Sequence, residues 1–264
     1  MSAPIENNLS NSTSKKLLLL GGTADGRILA ERLHQQGIAI IYSIAGLVRA
    51  PTVACEVVSG GFTQFGGLEH FIVQRNIGAI LDVTHPYAAI MSATAIRAAR
   101  HCGIACWRFH REQWQPESGD HWQCISHLDE ALPLLTTYSS VLLTVGQLTQ
   151  SWIDTLTIKA NHGQQQWLRT AVKPSAHLPC SMGWIKAIGP FSYEAESALM
   201  KKHNIDVLLS KNSGGDATVA KLHAARALNI PVVMLDRPAL PAADQLFVSR
   251  DQCSAFVEEY THAF

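Results

Sequence analysis

No apolar run in this chain approaches the ~20 residues that a membrane-spanning helix needs; the run Leu17–Leu20 ends after four residues at Gly21-Gly22. The first sixteen residues, MSAPIENNLSNSTSKK, lack the apolar stretch of a signal peptide. They are polar, rich in Ser and Asn, and read as a flexible tail over residues 1–16. Nothing here points to export, so a cytoplasmic setting is expected. Net charge is missing too. Twenty-one Lys and Arg balance twenty-one Asp and Glu, leaving no global field to hold a nucleic-acid backbone or an anionic membrane, so any anion must be bound locally.

A disulfide framework is also absent. Cys55, Cys102, Cys106, Cys124, Cys180 and Cys253 are scattered, with no CxxC pair, and read as reduced, mostly buried thiols. Cys102 and Cys106 with His101 and His110 bracket a predicted strand, where residues four apart are separated by over ~13 Å. No metal site is therefore assigned. The sequence contains no GxSxG elbow and no HExxH, and no Tyr is followed four residues later by Lys: Tyr87 is followed by Met91 and Tyr193 by Ser197. Hydrolase, metalloprotease and short-chain dehydrogenase chemistries have no local support.

What is present is an alternation. The 264 residues are 47% apolar, and short β-type runs alternate with longer Ala-rich helical patterns, the signature of parallel sheets buried on both faces. Strands are predicted near 17–20, 38–44, 54–58, 79–83 and 105–109, with helices near 26–36, 68–75 and 86–101. The last of these has Pro86 at its opening position. A polar stretch around 115–120 precedes a second set, with strands near 122–125, 141–145, 166–171, 184–187, 207–210 and 232–235 and helices over 193–203 and 215–228. The expected fold is α/β: two Rossmann-like halves with mainly parallel sheets and a ligand cleft between them. Residues 17–115 would form a dinucleotide-binding domain and 116–264 a second α/β domain closing the cleft. Ala98-Ala99-Arg100 precedes Ile104 at the spacing by which Ala224-Ala225-Arg226 precedes Ile230, which suggests a structural repeat or a recurrent α/β pattern.

Four loops carry the chemistry. Leu17–Leu20 followed by Gly21-Gly22-Thr23-Ala24-Asp25-Gly26-Arg27 is a strand, a Gly-rich turn and a helix start, which suits a pyrophosphate or a purely structural turn. The spacing is neither GxGxxG nor a P-loop, since Arg27-Ile28 replaces Lys and Ser/Thr. At the end of the second strand, Ser43-Ile44-Ala45-Gly46-Leu47-Val48-Arg49 lacks the acidic residue that binds an adenosine ribose. A hydroxyl, backbone N–H groups and the Arg49 guanidinium tilt the choice toward NADPH, with NADH the alternative. Thr84 and His85 in Asp82-Val83-Thr84-His85-Pro86-Tyr87 face the expected cleft, where His85 is either a hydrogen-bond donor, an acid near neutral pH or part of a helix cap. Lys211-Asn212-Ser213-Gly214-Gly215 crowds a cation, an amide, a hydroxyl and two glycines at a helix entry. It suits an anion, ribose or carboxamide, with Lys211 holding a carboxylate or donating a proton.

Taken in order with Gly60-Gly61-Phe62 and Gly66-Gly67, these motifs resemble the precorrin-6A reductase family, including its cobalt-precorrin-6A members, over Lys16 to Pro241. The resemblance implies hydride transfer from reduced nicotinamide to one double bond of the precorrin-6A macrocycle, giving precorrin-6B. The cofactor would be held by Gly21, Gly22, Thr23, Asp25, Gly26, Arg27, Ser43, Ala45, Gly46, Arg49, Thr84, His85, Asn212, Ser213, Gly214 and Gly215. Lys211 and His85 are the catalytic candidates. Lys211, Arg111, Lys173 and Arg237 are the candidates for the substrate's carboxylates, and a monomer is the default state. Departures from the family pattern are Ala24-Asp25-Gly26-Arg27 in place of Thr-Glu-Ala-Arg, Leu47-Val48 before Arg49, the extra Thr63-Gln64, and Gln147 where Arg is common. A reductase of another small substrate and a non-catalytic dinucleotide sensor are the competing readings.

Overall fold

The computed structural model describes residues 14–46, 52–160, 163–262 and 264. Most of the expected tail, residues 1–13, and the cofactor candidate Arg49 lie outside the described residues. Among those described, no helix is long and apolar enough to cross a membrane.

The chain forms two compact units. The first comprises residues 1–84, 90–109 and 241–264, the second 85–89 and 110–240. In the first unit the order is β1 (Lys16–Leu20), α1 (Ala24–Gln35), β2 (Ile40–Ile44), β3 (Glu56–Ser59), α2 (Leu68–Gln74), β4 (Ile77–Asp82), α3 (Ala89–Cys102) and β5 (Ala105–Phe109). The second unit contains β6 (Trp122–Ile125), α4 (Ala131–Leu135), β7 (Ser140–Thr144), α5 (Gln150–Lys159), β8 (Gln165–Thr170), β9 (Met182–Lys186), α6 (Tyr193–Lys202), β10 (Val207–Lys211), α7 (Ala220–Ala227) and β11 (Val232–Leu235). The chain then returns to the first unit with β12 (Gln245–Phe247) and α8 (Arg250–Thr261).

Each unit holds one six-stranded sheet, in the orders β12-β5-β4-β1-β2-β3 and β6-β11-β10-β7-β8-β9. Every pairing is parallel, so within a unit all carboxyl ends lie along one edge. The two orders match strand for strand except at one edge. There β12, which comes after the second unit in sequence, completes the first sheet, and β6 begins the second.

Parallel sheets need apolar residues on both faces, and the strands supply them. In β1, Leu17 and Leu19 enter one buried cluster with Leu29, Tyr42 and Trp107, while Leu18 and Leu20 enter another with Phe71 and Ile80. The alternation follows from the two-residue period of a strand. The second sheet does the same, with Val141 and Leu143 on one side and Leu142 on the other. Each fully buried Leu stabilises its unit by roughly 1.5–3 kcal/mol relative to exposure.

The repeat seen in the sequence is structural. Gly103 (φ +64°) and Asn229 (φ +57°) end α3 and α7 in the left-handed region. Gly103 N donates to Arg100 O at 3.3 Å and Ile104 N to Ala99 O at 3.0 Å; Asn229 N donates to Arg226 O at 3.0 Å and Ile230 N to Ala225 O at 2.8 Å. Both are the same two-bond helix stop, and each feeds the strand second from one edge of its sheet, β5 and β11.

Several expectations need correction. The helix expected from Pro86 starts at Ala89, because Ala88 N donates to His85 O at 2.7 Å and closes a turn over residues 85–88. The helix expected over 215–228 opens as a single 3-10 turn, Asp216–Thr218, before α7. Helices α4, α5 and α8 and strand β12 add to the elements that the sequence pattern predicts. Residues 241–264, expected in the second half, pack in the first unit because β12 pairs with β5 and α8 packs on α1. All six cysteines are free, but only Cys55, Cys106 and Cys253 are buried, while Cys124 and Cys180 are exposed.

Candidate active site

In an open parallel sheet, ligands gather outside the carboxyl ends at the point where strand order reverses. That point lies between β1 and β4 in the first unit and between β7 and β10 in the second. The motifs over residues 21–27, 82–87 and 211–215 stand at the ends of β1, β4 and β10 at these points, while 43–46 stands at the end of β2, the other neighbour of β1.

In the first unit, Thr23 ties the two loops together. Its Oγ1 accepts from Gly26 N at 3.0 Å, capping α1, and donates to Val83 O at 2.9 Å. Gly21 is glycine for packing: a Cβ there would overlap the ring of buried Tyr42, whose hydroxyl accepts from Gly22 N at 3.2 Å. Burial raises the pKa of Tyr42, keeping it a neutral phenol. Gly26 is buried against Gly21 Cα. Gly22 differs, being exposed at φ +106°, with open space for 4 Å around the point where a Cβ would stand. Gly46 has the same open space, and Ala45 beside it is exposed. Ser43 is buried within β2, and its carbonyl accepts from Gly21 N at 2.7 Å. Asp25 faces Arg250 of α8 at 3.6 Å, while Arg27 is exposed.

Thr84 turns away from solvent. Its N and Oγ1 both donate to Asp82 Oδ1, at 3.1 and 2.6 Å. Asp82 is fully buried and pairs through Oδ2 with Arg108 Nε at 3.1 Å, and Arg108 Nη1 donates to Pro241 O at 2.8 Å. The Thr84 hydroxyl is thus committed to a buried network that the sequence reading missed. Its signal was a charge in each of two otherwise apolar strands, β4 and β5.

The second unit brings more of the candidates together. Lys211 ends β10, with its Nζ 5.0 Å from the centroid of the Tyr87 ring and 3.9 Å from where a Gly146 Cβ would stand. Tyr87 O–H donates to Leu235 O, and its oxygen accepts from Asn212 N at 2.8 Å. Asn212 is buried and clamps the chain at Trp114: Oδ1 accepts from Trp114 N at 2.9 Å and Nδ2 donates to Trp114 O at 3.0 Å. The Trp114 indole N–H donates to Gly215 O at 3.1 Å.

Arg237 is the staple of this loop. Its guanidinium donates to the carbonyls of Asn212 (2.9 Å), Arg111 (2.8 Å), Glu112 (3.3 Å) and Ser213 (3.0 Å). The glycines let the staple form. Gly214 sits at φ +69° where a Cβ would overlap Glu112 O, and Gly215 at φ +72° where it would overlap the Arg111 side chain. Arg237, expected to meet substrate, therefore spends its donors on backbone. Lys173 lies apart on the loop after β8, exposed at the rim of a cavity of about 590 Å³ that includes His177 and Trp184. Gln147, just after Gly146, holds this loop by donating to Lys173 O at 3.4 Å and accepting from Ser175 N at 3.1 Å.

Electrostatics set the proton states. Burial, then the cations Lys211, Arg111, Lys221 and Arg237, push the His85 pKa down to about 3. Its Nδ1 accepts from Tyr87 N at 3.3 Å, so the neutral ring keeps its proton on Nε2. His85 can donate a hydrogen bond there, but it is not the acid near neutral pH that the sequence suggested. Burial lowers the pKa of Lys211 and raises that of Tyr87. The result is a set of cations around an uncharged imidazole, suited to a carboxylate-bearing ligand.

Residues 16–258 match the model of a family described as precorrin-6x reductase CbiJ/CobK. A precorrin-6A reductase from Rhodococcus erythropolis is 39% identical over 236 residues, covering 87% of this chain and 92% of that protein. One from Rhodobacter capsulatus is 34% identical, covering 87% and 90%. A cobalt-precorrin-6A reductase from Priestia megaterium is 29% identical, covering 85% and 91%. The solved structure of a CobK precorrin-6A reductase superposes with a TM-score of 0.83 at 31% identity, covering 93% of this chain and 97% of that one.

Proposed function

Because the chain belongs to the precorrin-6x reductase family, oxidoreductases of cobalamin biosynthesis, we propose that it reduces one double bond of precorrin-6A to give precorrin-6B, using NADPH. The observation that carries the reading is the 39% identity over nearly the whole length to a precorrin-6A reductase. The higher identity to metal-free than to cobalt-precorrin enzymes, 39% against 29%, favours the metal-free substrate.

The residues of the first unit fit a nicotinamide dinucleotide. Gly22 leaves open space just before α1 and Gly46 leaves open space after β2, the neighbour of β1; a helix N-terminus favours a phosphate through its free N–H groups and dipole. Among the described residues, the loop after β2 offers Ala45 and Gly46 and no carboxylate, consistent with a 2′-phosphate. Gly22, Ala45 and Gly46 would hold the nucleotide. When bound, the reduced nicotinamide supplies the hydride.

In the second unit, Lys211 and Arg111 bind substrate carboxylates, while Arg237 and Asn212 keep their loop in shape. Lys211, whose proton is loosened by burial, delivers a proton to the reduced ring system. The neutral His85 donates a hydrogen bond and orients the macrocycle. Rate enhancement rests mostly on positioning, which is worth roughly 7–11 kcal/mol when donor and acceptor atoms are held in line.

The test is direct. Purified protein given precorrin-6A should consume NADPH faster than NADH, and cobalt-precorrin-6A should be a poorer acceptor. Nicotinamide binding without oxidation would replace this reading with the sensor.

A further inference from the structure

Behind the Lys211 loop lies a buried charge cluster that the proposed reaction leaves unused. Lys221 stands in the first turn of α7, only 3% exposed, with its Nζ 5.4 Å from the centroid of the Trp114 ring. Trp114 is the residue that Asn212 and Gly215 clamp, so the loop forms the roof over this lysine. Arg169 from β8 and Glu196 from α6 approach from the sheet side. Arg169 Nη1 donates to Glu196 Oε1 at 2.6 Å, and its guanidinium lies 4.3 Å from the Phe191 ring centroid. Glu196 Oε2 is buried with no hydrogen-bond partner. Lys221 therefore makes no hydrogen bond to it.

The charged groups facing Lys221 are Arg169 from β8, Lys211 from β10 and Glu196 from α6, and Lys221 in turn acts on His85. Two cations thus stand against one carboxylate that already serves Arg169. An ammonium placed so is largely removed from solvent and shares its one carboxylate with Arg169. Lys211, whose Nζ lies 5.0 Å from the Tyr87 ring centroid, is the nearby cation at the strand end, so an anion held by Lys211 would add the second negative charge.

We propose that Lys221 is a positioning residue for the anionic substrate, taking up a proton from solvent when a substrate carboxylate is held at the Lys211 loop and returning it when the loop empties. The ligand's identity rests on the tetrapyrrole reading above; the behaviour of the lysine rests on the second unit alone. Burial, with Arg169 adding to it, brings the Lys221 pKa down to about 7, so a modest change in local potential changes its charge. A nearby carboxylate favours the charged form. By reciprocity, carboxylates bind more tightly as pH falls through neutrality and Lys221 gains its proton.

The experiment is a carbon-13 titration of labelled lysine in the full chain, without ligand, with Lys221 assigned by loss of its signal in Lys221→Met. One lysine should titrate near neutral pH, and its midpoint should rise when precorrin-6A is added. If every lysine titrates within a unit of ~10.4, the proposal is wrong. Should Lys221→Met misfold, Lys221→Arg keeps the cation and serves for assignment. Steady-state rates give the second readout. The wild-type KM for precorrin-6A should rise roughly fivefold from a unit below neutrality to a unit above, as expected for one pKa unit of coupling. In Lys221→Arg that rise should vanish, and an equal rise in both proteins also overturns the idea. If precorrin-6A is not reduced at all, the proposed function fails, while the ligand-free titration still decides the lysine.

Discussion

Asn212 holds the backbone of Trp114 at both ends of one residue, accepting from its N–H at 2.9 Å and donating to its carbonyl at 3.0 Å. Only a carboxamide can do both. Asn212→Asp keeps the acceptor but turns the donor into a second acceptor facing Trp114 O. It should destabilise the protein by about 1–3 kcal/mol in urea denaturation, and raise KM for precorrin-6A more than it lowers kcat. An unchanged midpoint would mean the clamp is not made in solution.

Gly21 and Tyr42 compete for one space. Gly21→Ala pushes a methyl group into the Tyr42 ring, at a cost of about 1–3 kcal/mol. Gly21→Ala combined with Tyr42→Ala should cost less than the sum of the two, since the clash is gone. Strict additivity in a double-mutant cycle would contradict the packing role.

His85 sets a pH dependence of known sign. Its folded pKa is about 3 against an ordinary 6.5. Above the ordinary value both states are neutral and His85 contributes nothing. As pH falls below it, the unfolded chain binds a proton that the folded chain refuses, so stability is lost progressively down to the folded value. His85→Gln should therefore gain stability relative to wild type between pH 6.5 and pH 3, read by thermal unfolding at several pH values. A constant difference would show that His85 charges freely.

Arg237 and Lys211 should fail in opposite ways. Arg237→Lys gives up a planar fork serving four carbonyls, and should lower stability by about 2–4 kcal/mol. Lys211→Met removes a partly buried charge, so unfolding should change little while kcat falls sharply and NADPH affinity is retained. Full turnover in Lys211→Met would remove it from the proton-delivering role.

Much of this was written in local pattern. The leucines of β1, the glycine turn after it and the matched spacing of residues 98–104 and 224–230 need only neighbours to be seen, and the structure adds the helix stops at Gly103 and Asn229 that account for that spacing. The loop 211–215 was recognisable as a helix entry crowded with polar groups, although the division of labour within it was not. Arg237 looks like any cation in sequence, since its four carbonyl partners come from segments far apart in the chain. Lys221 reads as a surface lysine of an Ala-rich helix, because Trp114, which covers it, sits in a stretch that looks like plain coil. Strand β12 is three residues long with two of them exposed, too little apolar signal to reveal that its partner is β5.

That last pairing governs how the protein must be made. The strand that finishes the first sheet is translated after the whole second unit, so on the ribosome β5 waits with a bare edge until residues 110–244 have been made. Emergence of residues 245–247, rather than of the first hundred residues, is the moment at which the opening unit can close its fold.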